Sequence, residues 1–205
     1  MSACRAPRRL ATRRRATVLA TGAAVAALTL TACGAGASGG SSDTKFVQGK
    51  GGVDTVRKGD RSPAPELSGK TIHGDQLDVS RYKGKIVVLN IWGSWCSPCI
   101  AEAPNFVKVA KDTKDKGVQF VGINTRDADA ANARKFEKDH DVPYPSLYDP
   151  IGKLTLRFPK GSLNPQAIPT TIVLDREGRI AARALRPLSE DSLRDMIDPL
   201  IAEKK

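Results

Sequence analysis

The sequence predicts an α/β domain in the order β-α-β-α-β-β-α, with parallel strands first and an antiparallel hairpin last. Three observations carry this. KIVVLNIWG (residues 85–93) and VQFVGIN (118–124) are near-continuous apolar, β-branched runs of strand length, as expected for strands buried on both faces. The stretch between them has helical spacing. TTIVLD (170–175), the tight turn REG and a return strand over 179–185 then form the closing hairpin.

Each element has its local reason. ELSGKTIHGDQLDVSRYKG (66–84) reads as a hairpin and a loop ahead of the first buried strand. The first helix spans 96–116, with Ile100, Ala103, Val107 and Ala110 on one stripe and Gly117 as its stop. Pro98 suits its first turn, whereas Pro104 removes a ladder bond and predicts a kink near Ile100. The second helix, 127–140, turns Ala130, Ala133 and Phe136 inward. In the last helix Ser189 caps, Glu190 and Asp191 suit the positive end, and Leu193, Met196, Ile197, Leu200 and Ile201 form the apolar face.

The ends differ from this domain. Residues 1–32 carry six arginines and no acid, followed by an apolar run too short for a spanning helix, which needs about 20 residues, and right for an export signal. Leu30-Thr31-Ala32-Cys33-Gly34 resembles a bacterial lipobox, which implies cleavage before Cys33 and lipidation of it. Arg14-Arg15 lacks the apolar pair expected of a twin-arginine signal. Residues 33–60, rich in Gly and Ser, are expected to be a tether of roughly 30 Å span, leaving 61–205 as the domain. Phe46, Val47, Val53 and Val56 leave open a short strand docked on that domain.

Charge follows the same division. The chain has 33 basic and 22 acidic residues, a net charge of +11; without the six leader arginines the excess falls to +5. The remaining lysines at 108, 111, 114 and 116 alternate with Asp112 and Asp115 as a solvated helix face, so no nucleic-acid partner is expected.

Four cysteines reduce to two once Cys4 leaves with the signal and Cys33 is acylated. A tetrahedral metal site needs four ligands, and His73 and His140 are unpaired, so no metal and no cofactor are expected. A purely structural Cys96–Cys99 disulfide would close too small a loop to stabilise much. An exported chain with one C-x-x-C pair at a strand-to-helix junction favours redox work.

Here the chain resembles the thioredoxin superfamily, and within it the membrane-tethered ResA/TlpA-like thiol-disulfide oxidoreductases. The residues that carry the resemblance are Trp95-Cys96-Ser97-Pro98-Cys99 after a strand ending in Trp92, Glu102 with Pro104 behind it, Ile168-Pro169-Thr170 before the third strand, and the enlarged stretch between Asn124 and Pro169. The resemblance implies a thioredoxin-like fold with an N-terminal β-hairpin extension and a central insert. Pro169 is expected to be cis and beside the cysteines, freeing the Ile168 backbone to pair with an extended substrate segment.

The expected chemistry is dithiol–disulfide exchange. Unpaired N–H groups at a helix start stabilise a thiolate, and C-x-x-C cysteines so placed fall to pKa values of about 3.5–7.5. Cys96, nearer the exposed end, is expected to attack; Cys99, one turn on and more buried, to resolve. Glu102 shares a helix face with Cys99 and is expected to accept or relay its proton. Trp92 is expected in the core, with Trp95 and Pro98 on the substrate rim. The Ser97-Pro98 dipeptide lacks the histidine of strongly oxidising relatives, which with Glu102 points to reduction of exported protein disulfides. The resemblance implies a membrane thiol-electron transporter as donor and apocytochrome c as a client. A disulfide oxidase or isomerase of the same fold, and a non-catalytic binding lipoprotein, are the rival readings. A thiol peroxidase is disfavoured, because Leu89 and Gly93 stand where its motif needs Pro and Ser or Thr.

Overall fold

The computed structural model describes residues 44–203. The expected signal peptide and the lipidation site at Cys33 lie outside them. Among the described residues nine strands occur: β1 (Val47–Gln48), β2 (Val53–Thr55), β3 (Ser68–Lys70), β4 (Gln76–Asp78), β5 (Ile86–Trp92), β6 (Val118–Thr125), β7 (Ser146–Asp149), β8 (Thr170–Leu174) and β9 (Ile180–Ala184). Three α-helices accompany them: α1 (Ser97–Thr113), α2 (Ala130–Asp139) and α3 (Glu190–Ala202). Among the described residues, no helix is long and apolar enough to cross a membrane.

Seven strands form one sheet in the order β1-β2-β9-β8-β5-β6-β7. β5 is an inner strand, every residue buried, parallel to β6 and antiparallel to β8. This is why its sequence is apolar without alternation. Its two faces nevertheless meet different partners. Ile86 and Val88 join Phe106 and Val109 of α1 and Leu193, Met196, Ile197 and Leu200 of α3. Val87, Leu89 and Ile91 pack with Leu67 and Leu77 of the β3–β4 hairpin and with Leu147, Leu154 and Phe158 of the insert. By the strand's period of two, Asn90 and Trp92 share the first face. The four buried α3 side chains alone contribute about 1.5–3 kcal/mol each.

The caps are where the sequence places them. Ser189 Oγ accepts from Ser192 N at 3.2 Å, and Gly117 takes φ 77° after the 3₁₀ turn that ends the α1 region. α1 continues through Pro104 as one helix. Ile100, expected on the buried stripe, is instead 40 % exposed. The buried stripe runs through Cys99, Glu102, Ala103, Phe106, Val107 and Val109.

Two parts of the sheet differ from expectation. The tether expected to reach residue 60 is folded from the first described residues: β2 pairs antiparallel with β9, Val53 opposite Ala184, and β1 adds outside it. Val53 and Val56 are buried there, which offsets the ordering of a Gly-rich segment. Arg61 then anchors this extension, reaching Asp175 at 3.1 Å and Glu203 at 2.5 Å. The insert contributes a parallel edge strand, β7, beside β6.

Candidate active site

β5 ends at Trp92, and Gly93 to Cys96 carry the chain over the sheet's edge into α1. Cys96 is the N-cap of α1: its sulfur accepts from Cys99 N at 3.2 Å. Cys96 and Cys99 are joined in a disulfide, with Cα atoms 5.2 Å apart. The helix start is therefore aimed at sulfur, the geometry that favours a thiolate after reduction. Cys96 is not the exposed member that its position suggests. It is 4 % exposed against 2 % for Cys99, because both sulfurs sit in a cluster with Trp92, Ala103, Ala133 and Phe136.

The exposed surface beside the pair comes from its neighbours. Trp95 is 52 % exposed and Ile100 40 %, and Ser97 and Pro98 are also exposed. The Trp95 indole lies across Gly93, where an added Cβ would stand 3.0 Å from the ring. Its Nε1 donates to the Arg126 carbonyl at 3.2 Å, and the Arg126 guanidinium lies 5.0 Å from the ring centroid. The same guanidinium donates to the Gln166 carbonyl at 3.2 Å. Arg126 thus ties the cysteine loop to the loop that leads into Ile168. The Ile168–Pro169 peptide is cis. Ile168 packs against the cysteine cluster, and Pro169 is buried. The chain therefore brings together Trp95 and Cys96 before α1, Cys99 in its first turn and Ile168 ahead of β8, with Pro98 on the rim.

Glu102 lies below, 2 % exposed. Its carboxylate accepts from Asn90 Nδ2 at 2.9 Å and from Leu188 N at 3.0 Å. Burial outweighs these two bonds and pushes its pKa up to about 7. No cation pairs with it among the described residues. A carboxyl in this state takes or gives a proton near neutrality. Trp92 is buried as expected and stacks on Phe136 at 4.3 Å.

Sequence reasoning missed Asp127 and Arg126. Buried Asp127 accepts from Ser94 N at 2.9 Å, Ser94 Oγ at 2.6 Å and Asn124 Nδ2 at 2.6 Å, while Tyr148 Oη donates to its carbonyl at 3.0 Å. It holds the approach to the cysteines in place. The available signal was position, since both residues follow the carboxyl end of a buried parallel strand, where α/β sheets place their sites.

Residues 57–197 match the family model described as Redoxin. The chain belongs to the Redoxin family. This redoxin is 34 % identical, over 73 % of its length and 80 % of the relative's, to the thiol:disulfide interchange protein HelX of Rhodobacter capsulatus. It is 29 % identical to the thiol-disulfide oxidoreductase ResA of Bacillus subtilis, over 72 % and 78 % of the two chains. Among solved structures, a DsbF homologue from Corynebacterium diphtheriae superposes with a TM-score of 0.69 at 37 % identity, covering 77 % of this redoxin and 99 % of that chain. The fold is thioredoxin-like, and this redoxin is a thiol-disulfide oxidoreductase with its cysteine pair at Cys96 and Cys99.

Proposed function

We propose that the protein is an exported reductase of protein disulfides, lipid-anchored through Cys33 on the extracytoplasmic face of the bacterial cell membrane. The observation that carries the direction is Glu102, a buried carboxyl with no counter-charge among the described residues, beside a Ser97-Pro98 dipeptide that lacks histidine. In the reduced protein the Cys96 thiolate attacks a substrate disulfide, forming a mixed disulfide and releasing one substrate thiolate. Cys99 then gives its proton to Glu102 and attacks Cys96. The Cys96–Cys99 bond forms, the bond to the substrate breaks, and the second substrate sulfur leaves with the electron pair. Two electrons have passed to the substrate. A membrane thiol-electron transporter restores the dithiol.

Trp95, Pro98 and Ile168 supply the apolar rim on which an extended client segment rests, with the Ile168 backbone before cis Pro169 free to pair with it. The client suggested by the resemblance to the ResA/TlpA-like group is the haem-attachment cysteine pair of apocytochrome c.

The test is the reduction potential, with turnover of insulin disulfides by the unmodified chain and by Cys96→Ser and Cys99→Ser. A potential toward the reducing end of the C-x-x-C range, about −270 mV rather than about −120 mV, is expected. Turnover should vanish in both serine variants. A potential near the oxidising end, with the pair oxidised in cells by alkylation mass shift, assigns the protein to oxidation or isomerisation instead. Turnover that survives both substitutions removes the pair from the reaction.

A further inference from the structure

Arg126 follows β6 directly, in a backbone conformation that arginine rarely takes. Its φ is 59°, and among the described residues other than glycine only Asp141 also has a positive φ. Asp141 comes just after the C-cap of α2, where helices commonly end in this way. Arg126 ends no helix, and its bend serves a contact instead. The Arg126 carbonyl accepts from Trp95 Nε1 at 3.2 Å, and its guanidinium lies over the same ring, 5.0 Å from the centroid. One residue thus holds the indole by its edge and by its face. The guanidinium also donates to the carbonyl of Gln166, in the loop that leads into Ile168.

Trp95 depends on this hold. It stands ahead of α1 and is half exposed, seated across Gly93, whose missing side chain leaves room for the ring. Among the described residues, its hydrogen bond and its cation contact are both with Arg126. The guanidinium is not half of an ion pair with its neighbour, since the Asp127 carboxylate is taken up by Ser94 and Asn124. Its Nε is buried with no hydrogen-bond partner, a cost that the anchoring Arg61 does not carry, as Arg61 pairs Nε and both Nη atoms.

We propose that Arg126 is a positioning residue for client binding, which holds Trp95 and the Ile168 loop apart at a set distance so that an extended client segment enters a cleft already formed. The inference rests on the reading above that Trp95 and Ile168 form the client rim. A client that meets a preset cleft does not have to order the indole and the loop as it binds, and ordering a freed side chain weakens binding several-fold. Arg126 acts through the ring and the Gln166 carbonyl, while the exchange itself stays with the sulfurs of Cys96, Cys99 and the client.

The experiment uses a short apolar peptide that bears a fluorophore and is joined by a disulfide to a quencher-bearing thiol. The reduced full chain cleaves it in a single turnover, with the peptide in excess over a range of concentrations. Fluorescence appears at the first exchange, the step that follows docking, so the half-saturating concentration reports docking and the plateau rate reports exchange. The variant is Arg126→Asn, because asparagine tolerates the same φ and only the guanidinium is lost. Half-saturation is expected to rise about fivefold while the plateau stays within about twofold. Dihydroxyethyl disulfide, too small to span the cleft, should react at the unmodified rate. The Trp95 indole N–H order parameter, from nitrogen-15 relaxation, should fall below about 0.6. If Trp95→Ala raises half-saturation and Arg126→Asn does not, the inference is overturned and the rim stands. A plateau that falls alike for both disulfides also overturns it, because Arg126 would then act on the cysteines. If Trp95→Ala leaves half-saturation unchanged, the rim reading fails and the inference goes with it.

Discussion

Asp175 and Glu102 are both carboxylates closed off from water, at 4 % and 2 % exposure, and they differ in company. Asp175, in the β8–β9 turn, meets the Arg61 guanidinium and also accepts from the backbone N–H groups of Glu177 and Arg179. Glu102 has two neutral donors and, among the described residues, no cation. The first arrangement ties the N-terminal extension to the end of α3 through Arg61 and Glu203. The second leaves a charge undecided near neutral pH, one helical turn from Cys99. Buried acids at the two ends of one sheet thus have separate uses, and the counter-charge marks which is which.

The largest effect should come from breaking the paired site. Arg61→Met leaves Asp175 buried without its cation, and chemical denaturation should show a loss of about 3–5 kcal/mol. A loss under about 1 kcal/mol would mean that the backbone donors alone satisfy Asp175.

Glu102→Gln should act in the opposite sense on stability. The folded protein holds this proton more tightly than the unfolded chain, whose value is the ordinary 4.5 against about 7 when folded. Stability from this group is therefore full below about pH 4.5 and declines as pH rises toward 7, by about 3 kcal/mol in all. The glutamine variant carries no charge to bury, and Asn90 can turn its amide to accept from it. Its stability should stay level across that window, exceeding the unmodified chain above pH 7, while thiol release slows by up to about a hundredfold. Parallel stability curves for the two proteins would contradict the assignment.

Asp127→Asn lies between these cases. Its three neutral donors include two from Ser94, so one will face an amide N–H instead of a carboxylate oxygen. A loss of about 1–2 kcal/mol is expected, with slower exchange because the Ser94 loop loosens ahead of Cys96. The smallest effect should come from Lys135→Ala. It removes an exposed pair with Asp139, and neither denaturation nor turnover should change measurably.

The strands and helices that frame the cysteines were legible because they bury apolar side chains at a regular period. β5, α1, β6, β8, β9 and α3 all follow from runs or stripes. β7 was not legible, since its fully buried Ser146 and Asp149 are polar, and its place comes from pairing with β6 rather than from its own hydropathy. β2 was visible only as scattered valines, whose partner in β9 lies far along the chain. Of the site, the cysteine pair, Glu102 and the Ile168–Pro169 step stood out by spacing and resemblance. Asp127 and Arg126 did not, because no local pattern shows that residues of one loop will close on another distant in sequence. The near-equal burial of Cys96 and Cys99 was hidden for the same reason, as Ile168 and α2 supply part of their cover.

The claim that Glu102 is an acid poised at neutrality, where Asp175 is an ion-pair partner of Arg61, is tested most directly by carbon-13 NMR of the Glu102 carboxyl across pH in the reduced full chain. Glu102 should titrate with a midpoint of about 7. A Glu102 midpoint near 4.5, its ordinary value, would show that water or an unseen charge already satisfies it, and the account of Glu102 as the proton acceptor for Cys99 would fall.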